Sequence, residues 1–118
     1  VPPAIRLLPL IRDAVGPDFP LLFDSGIRNG EDVIKALALG ANFVMLGRPA
    51  LFALGADGAD GLHALLKCFE TDITAVMAQL GVSSISQLGA DAIFDANEHK
   101  RKSGNKNKDS FTASQKKP

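Results

Sequence analysis

Short apolar runs alternate with stretches of helical periodicity over the first 88 residues. Apolar residues at helical spacing predict a first helix within 4–15. We expect it to start near Arg6 or Leu7, because Pro9 is tolerated only in a first turn. Gly16 followed by Pro17 predicts its end, with the glycine in a left-handed cap.

Two almost wholly apolar runs, 19–23 and 43–46, follow in the chain. Such runs are typical of parallel strands that are buried on both faces. Between them, apolar residues recur at helical spacing from Val33 and stop at Gly40, and Glu31 and Lys35 are placed for an exposed ion pair one turn apart. The order strand, polar loop, helix, repeated once, predicts the α/β class with right-handed units in a parallel sheet.

A long apolar stripe follows a glycine-rich turn at 55–61 and ends at Gly81. Its spacing is helical, and we expect it to pack on the outer face of the sheet. Cys68, within it, is expected to be a buried or half-buried core residue, and 83–88 a short helical turn. The stripe comprises Leu62, Leu65, Leu66, Phe69, Ile73, Val76, Met77 and Leu80.

Charge divides the chain into two parts, although the net charge is zero. Residues 97–118 hold seven Lys or Arg and two acids, whereas the remainder holds six basic residues and eleven acids. We predict that residues 1–96 form the globular part and that 97–118 are a basic, disordered tail. The chain starts at Val1-Pro2-Pro3, which resembles a cut, so we expect a fragment.

The apolar runs are too short for a membrane span, and the single Cys68 has no partner for a disulfide within the chain. A soluble protein of the reducing cytoplasm is therefore expected. We predict no metal site. We also predict no binding of nucleic acid, because the basic tail has one aromatic residue and matches no nucleic-acid motif.

Candidate chemistry lies in the two loops that follow the predicted strands. The carboxyl ends of parallel strands meet at one edge, where α/β proteins bind their ligands. Each loop combines glycine, which permits close approach of a ligand, with an arginine that can grip an anion. Pro49 suits the first position of the next helix. The predicted site residues are Asp24, Ser25, Gly26, Ile27, Arg28, Gly47 and Arg48.

These loops favour a phosphate site, although a lone arginine after a strand is more often a surface residue or an ion-pair partner of an acid such as Asp24. (β/α)8 TIM barrels often build such a site after strands 7 and 8. The predicted fold is therefore the C-terminal part of a (β/α)8 barrel. A complete barrel needs about 250 residues, so we expect the chain alone to be poorly folded or prone to aggregate.

The sequences of 24–30, 35–41 and 47–49 resemble the FMN-dependent α-hydroxy acid dehydrogenases and oxidases, which include glycolate oxidase, lactate dehydrogenase and mandelate dehydrogenase. The similarity runs over about 1–88. It implies that the seven site residues hold the phosphate and ribityl chain of FMN. Ser25 is a mild departure, because the family often has glycine there.

The resemblance implies oxidation of an L-2-hydroxy acid such as lactate, glycolate or mandelate to the 2-oxo acid, in a homo-oligomeric parent protein. The family's catalytic His and carboxylate-binding Arg lie in a Ser-Asn-His-Gly segment that is not found here. His63 and His99 are expected to be solvated. No catalytic residue is therefore assigned, and the chain alone is expected to be inactive.

Two alternatives remain open from the sequence. Type 2 isopentenyl diphosphate isomerase and inosine monophosphate dehydrogenase share the Gly-Ile-Arg-x-Gly and Leu-Gly-Ala patterns, but the Leu51-Phe52 pair after Gly-Arg-Pro favours the hydroxy acid family. The second alternative is a non-catalytic remnant whose basic tail binds nucleic acid or an acidic partner.

Overall fold

The computed structural model describes residues 1–93, in which helices and strands alternate as the sequence predicts. The tail predicted at 97–118 and His99 lie outside the described residues. Two short 3-10 turns, Ile85–Gln87 and Ala90–Ala92, follow the last helix, and the first confirms the turn expected at 83–88. The main elements are α1 (Ala4–Val15), β1 (Leu22–Asp24), α2 (Gly30–Ala38), β2 (Phe43–Met45) and α3 (Arg48–Leu80).

The strands β1 and β2 pair in parallel, with Leu22 opposite Phe43 and Asp24 opposite Met45. The predicted burial on both faces is wrong for this chain. Phe23 is 7% exposed, whereas Leu22 and Phe43 are 62% and 65% exposed. Successive side chains of a strand point to opposite faces, and among residues 1–93 only the Phe23 face is covered by the core.

Helix α1 starts at Ala4, earlier than predicted, and Pro9 lies inside it. Pro9 is the sixth residue of the helix, so its missing N–H removes the bond that this position would donate to the Ile5 carbonyl. Leu8 anchors the helix in the core with 4% exposure. At Gly16 the φ of 86° is positive as predicted, but the ψ of 174° is extended, so the cap is not left-handed helical.

Helix α2 lies against the sheet and α3, and buries Val33, Ile34, Ala36 and Ala38. The predicted pair is confirmed: Lys35 Nζ lies 3.0 Å from Glu31 Oε1, and both side chains are about half exposed. Such an exposed pair contributes only about 0.3–0.5 kcal/mol. Burial of one apolar face therefore holds this helix in place.

Helix α3 is broken at Asp57 and Gly58, where φ and ψ leave the helical range. The predicted turn at 55–61 is thus a kink between two helical segments. The apolar stripe after it packs chiefly on α2, which corrects its expected place on the sheet. Phe69 is its buried centre, and Leu65 and Ile73 pack beside it. Cys68 is exposed, contrary to prediction, because adjacent helical residues point about 100° apart.

No helix among residues 1–93 is long and apolar enough to cross a membrane.

Gly30 is a point of close approach between α2 and α3, and its N–H donates to Asp72 Oδ2 at 3.2 Å. A Cβ at Gly30 would overlap Asp72 Cβ and lie 2.7 Å from the Phe69 carbonyl oxygen. We therefore expect Gly30→Ala to lower the free energy of unfolding of the full protein by about 1–3 kcal/mol, as overpacked sites do. Urea denaturation measures this loss.

Gly55→Ala is the matched control, because nothing lies within 4 Å of a Cβ built at that helical glycine. We expect it to leave stability unchanged or to raise it by up to about 1 kcal/mol, since alanine is the better helix former. Equal losses from both substitutions would contradict the close packing of α2 on α3.

Candidate functional site

A cavity of about 380 Å³ opens at the carboxyl edge of the sheet, between the loops that follow β1 and β2. The structure places all seven predicted site residues around it. Met45 also lines the cavity and is not among the predicted site residues. Met45 lies opposite Asp24 because of the strand register. The register cannot be predicted from the apolar content of the two runs alone. The lining consists of Asp24, Ser25, Gly26, Ile27, Arg28, Met45, Gly47, Arg48 and Pro49.

The first loop owes its shape to a glycine followed by a buried isoleucine. Gly26 has a φ of +66°, which costs other L-residues roughly 1–2 kcal/mol. Ile27 then enters the core with 5% exposure. With Ile27 fixed inside, Ser25, Gly26 and Arg28 remain exposed at the cavity. The loop thus presents polar groups to a ligand while an apolar side chain holds it to the core.

Reciprocal hydrogen bonds join this loop to the start of α2. Asn29 caps the helix, with its Oδ1 accepting from the Asp32 N–H at 2.9 Å. Asp32 Oδ2 in turn accepts from the backbone N–H of Arg28 at 3.0 Å. This arrangement resembles a capping box and fixes the main chain at Arg28. The Arg28 amide is thereby used internally, so its guanidinium is the group available to a ligand.

The second loop leads directly into α3. Gly47 is the N-cap, Arg48 the first helical residue and Pro49 the second, one position later than predicted. The N–H groups of Ala50 and Leu51 donate to the Gly47 carbonyl at 3.1 and 3.2 Å. Among residues 1–93 the amides of Gly47 and Arg48 donate to no acceptor. They lie at the positive end of the helix dipole, which favours an anion.

Two cations and one anion line the cavity. The side chains of Arg28 and Arg48 are exposed, and neither makes an ion pair or hydrogen bond within residues 1–93. The alternative that Arg28 pairs with Asp24 is therefore not what the structure shows. Asp24 is the acid, and its carboxylate is suited to accept hydrogen bonds from hydroxyl groups. The arrangement can bind a molecule that carries both a phosphate and hydroxyls.

Other chemically able side chains lie away from this cavity. His63 and Cys68 are exposed on α3, and neither lines the cavity. No group of His, Cys, Asp or Glu within residues 1–93 is arranged to hold a metal ion. The described part of the chain therefore offers an anion site without an adjacent histidine.

A protein-family model described as FMN-dependent dehydrogenase matches residues 1–95. An L-lactate dehydrogenase of Chromohalobacter salexigens is 43% identical over 93 residues, which are 79% of this chain and 24% of that protein. An L-lactate oxidase of Alicycliphilus denitrificans is 42% identical over 92 residues, or 78% of this chain and 25% of that protein.

Solved structures give the same result. A soluble mutant of the membrane-associated (S)-mandelate dehydrogenase from Pseudomonas putida is 40% identical, with a TM-score of 0.70 over 75% of this chain and 25% of that one. The chain thus spans about a quarter of the length of the relatives that it matches. The matches favour the hydroxy acid enzymes over the isomerase and nucleotide dehydrogenase alternatives.

Proposed function

We propose a function from one premise: the chain belongs to the FMN-dependent dehydrogenase family. In this proposal the loops after β1 and β2 hold the phosphate and ribityl chain of FMN in an enzyme that oxidises an L-2-hydroxy acid to the 2-oxo acid. Lactate, glycolate and mandelate are the candidate substrates. Lactate and mandelate enzymes among the relatives support this class.

One observation carries the proposal: Arg28 and Arg48 line the same cavity with no partner among residues 1–93. Both guanidinium groups are exposed and bind no protein acceptor within residues 1–93, so all their donors are available to a ligand. A phosphate offers acceptor oxygens and a double negative charge that match two planar forks. The unpaired amides of Gly47 and Arg48 add donors from the backbone.

The remaining lining residues fit the rest of FMN. Asp24 and Ser25 offer an acceptor and a hydroxyl for the ribityl chain, and Gly26 leaves room for its close approach. A cavity of about 380 Å³ is within the size range of small-molecule pockets. When bound, FMN supplies the two-electron acceptor for the hydroxy acid. This chain's residues anchor and orient that group.

We further propose that β1 and β2 are strands 7 and 8 of a (β/α)8 barrel, to which residues 1–96 belong. The position of the site at the carboxyl edge of two adjacent parallel strands supports this. The exposed sheet face with Leu22 and Phe43 would then contact the barrel interior. The general base and the group that grips the substrate carboxylate would come from parts of the barrel outside these residues, because His63 lies away from the cavity.

We also propose that the protein works in the reducing cytoplasm and that its parent protein is a homo-oligomer. Residues 97–118 are proposed to be a separate basic extension. The unpaired, exposed Cys68 supports the compartment.

Titration of the flavin-free full protein with FMN and with riboflavin tests the function. The two ligands differ only in the phosphate, so the ratio of their dissociation constants reports the phosphate site alone. We expect FMN to bind about a hundredfold or more tightly, as two charge-assisted contacts allow. Equal affinities would refute the proposed site.

A further inference from the structure

The side chain of Arg12, on α1, donates all five of its N–H groups to four oxygen acceptors. Nε and Nη2 contact the Gly40 carbonyl at 2.9 and 2.7 Å. Nη1 donates to the carbonyls of Gly16 and Phe19, each at 2.7 Å. Nη2 also donates to Asn42 Oδ1 at 2.7 Å. The guanidinium therefore ties α1 to the segments that precede β1 and β2.

Asn42 extends this network to the amino ends of the strands. Its Oδ1 also accepts from the Leu21 N–H at 2.9 Å, and its own N–H donates to the Leu21 carbonyl at 2.8 Å. The Phe43 N–H donates to the same carbonyl at 3.3 Å. These bonds stand immediately before the first pair of the ladder, Leu22 opposite Phe43. Arg12 thus orients the side chain that aligns the two strands.

Gly40 makes room for the Arg12 side chain. A Cβ at Gly40 would lie 2.9 Å from both Cβ and Cγ of Arg12, and its φ of +118° is a conformation that other residues rarely adopt. Gly40 therefore has two roles in the loop between α2 and β2. It follows the end of helix α2, and it leaves the space that the Arg12 side chain occupies.

Strand register decides how the two ligand loops face each other. Each strand has three residues, so the ladder alone is short. A slip by one residue would move Asp24 relative to Met45 by about 3.3 Å and turn Phe23 out of the core. A displacement of that size would separate the two arginines from a shared phosphate, whose hydrogen bonds tolerate only a few tenths of an ångström.

We propose that Arg12 is a positioning residue for the anion site: through Asn42 it fixes the register that brings Arg28 and Arg48 to one phosphate. It acts from the opposite ends of the strands, three residues or about 10 Å from the site, and touches no ligand. This inference rests on the proposed function, because the anion is the phosphate of FMN.

Two variants of the full protein test it. Arg12→Lys keeps the charge but has three donors on a compact ammonium, so it cannot hold all four acceptors. Asn42→Ala leaves Arg12 its three carbonyl acceptors and removes the two bonds to Asn42 Oδ1, from Arg12 Nη2 and from the Leu21 N–H, while the backbone bond from residue 42 to the Leu21 carbonyl remains. Lys67→Met is the control, since it removes an exposed cation on α3 whose ion pair within residues 1–93 is with Glu70, at 3.9 Å.

We expect both variants to lower the ratio of the riboflavin to the FMN dissociation constant by about tenfold, the effect of one strong hydrogen bond. Riboflavin affinity itself should change little. Amide hydrogen exchange should accelerate at residues 21, 42 and 43 but not at the buried Phe69 of α3. Lys67→Met should alter neither quantity.

Faster exchange with an unchanged ratio in both variants would overturn the inference, because Arg12 would then be a structural clamp without influence on the site. Wild-type protein that binds both flavins equally would instead refute the proposed function. In that case faster exchange at residues 42 and 43 of the variants would still support the claim that Arg12 fixes the strand register. Unchanged exchange in the variants would overturn that claim.

Discussion

Replacement of both Arg28 and Arg48 by glutamine is expected to weaken FMN binding to the full protein by about a hundredfold or more, and to leave riboflavin binding nearly unchanged. Each hydrogen bond to a charged group contributes about 1.5–3 kcal/mol, and every 1.4 kcal/mol is a factor of ten. Glutamine keeps an amide donor but is two heavy atoms shorter, so the substitution removes the charge, the planar fork and the reach to the phosphate. Quenching of flavin fluorescence measures both affinities.

The single substitutions should each cost about tenfold or more, because both side chains line one cavity. Lys67→Gln, which removes an exposed cation on α3 outside this cavity, is the control and should have no effect. If the double variant lost FMN and riboflavin affinity equally, the arginines would support the fold of the site and not the phosphate.

The second large effect concerns the 118-residue chain expressed without the rest of a barrel. We expect it to self-associate, because its two paired strands leave both outer edges open within the described residues and expose apolar side chains on one face. Such edges recruit further strands. Sedimentation velocity should show assemblies larger than a monomer.

A charge placed on the exposed sheet face distinguishes association through the strands from nonspecific hydrophobic association. Phe43→Lys should reduce the association, since charged side chains on such strands oppose further pairing. Leu10→Lys is the matched control: Leu10 is also exposed, but it lies on α1, so the assemblies should persist. A monodisperse monomer of the unmodified chain with one cooperative melting transition would contradict the expectation.

Features that depend on local sequence could be predicted, as particular residues show. Glu31 and Lys35 are one helical turn apart and form the expected ion pair. Glycine and arginine after each apolar run lie at one sheet edge, because adjacent parallel strands end together. Their binding of FMN stays a prediction.

Features that depend on tertiary contacts could not be predicted from this sequence. The stripe around Phe69 indicates that a helix packs on something, but the same periodicity fits a sheet or another helix, and the partner is α2. Exposure of Leu22 depends on which elements cover the sheet. The role of Arg12 could not be predicted from the sequence, because three of its four acceptors are backbone carbonyls that any residue provides.

A crystal structure of the full protein with FMN bound tests the central claim most directly. We predict phosphate oxygens within about 3 Å of both the Arg28 and Arg48 guanidinium groups, the length of a charge-assisted hydrogen bond. A phosphate that is bound elsewhere, with the two arginines directed to solvent or to protein carboxylates, would contradict the account.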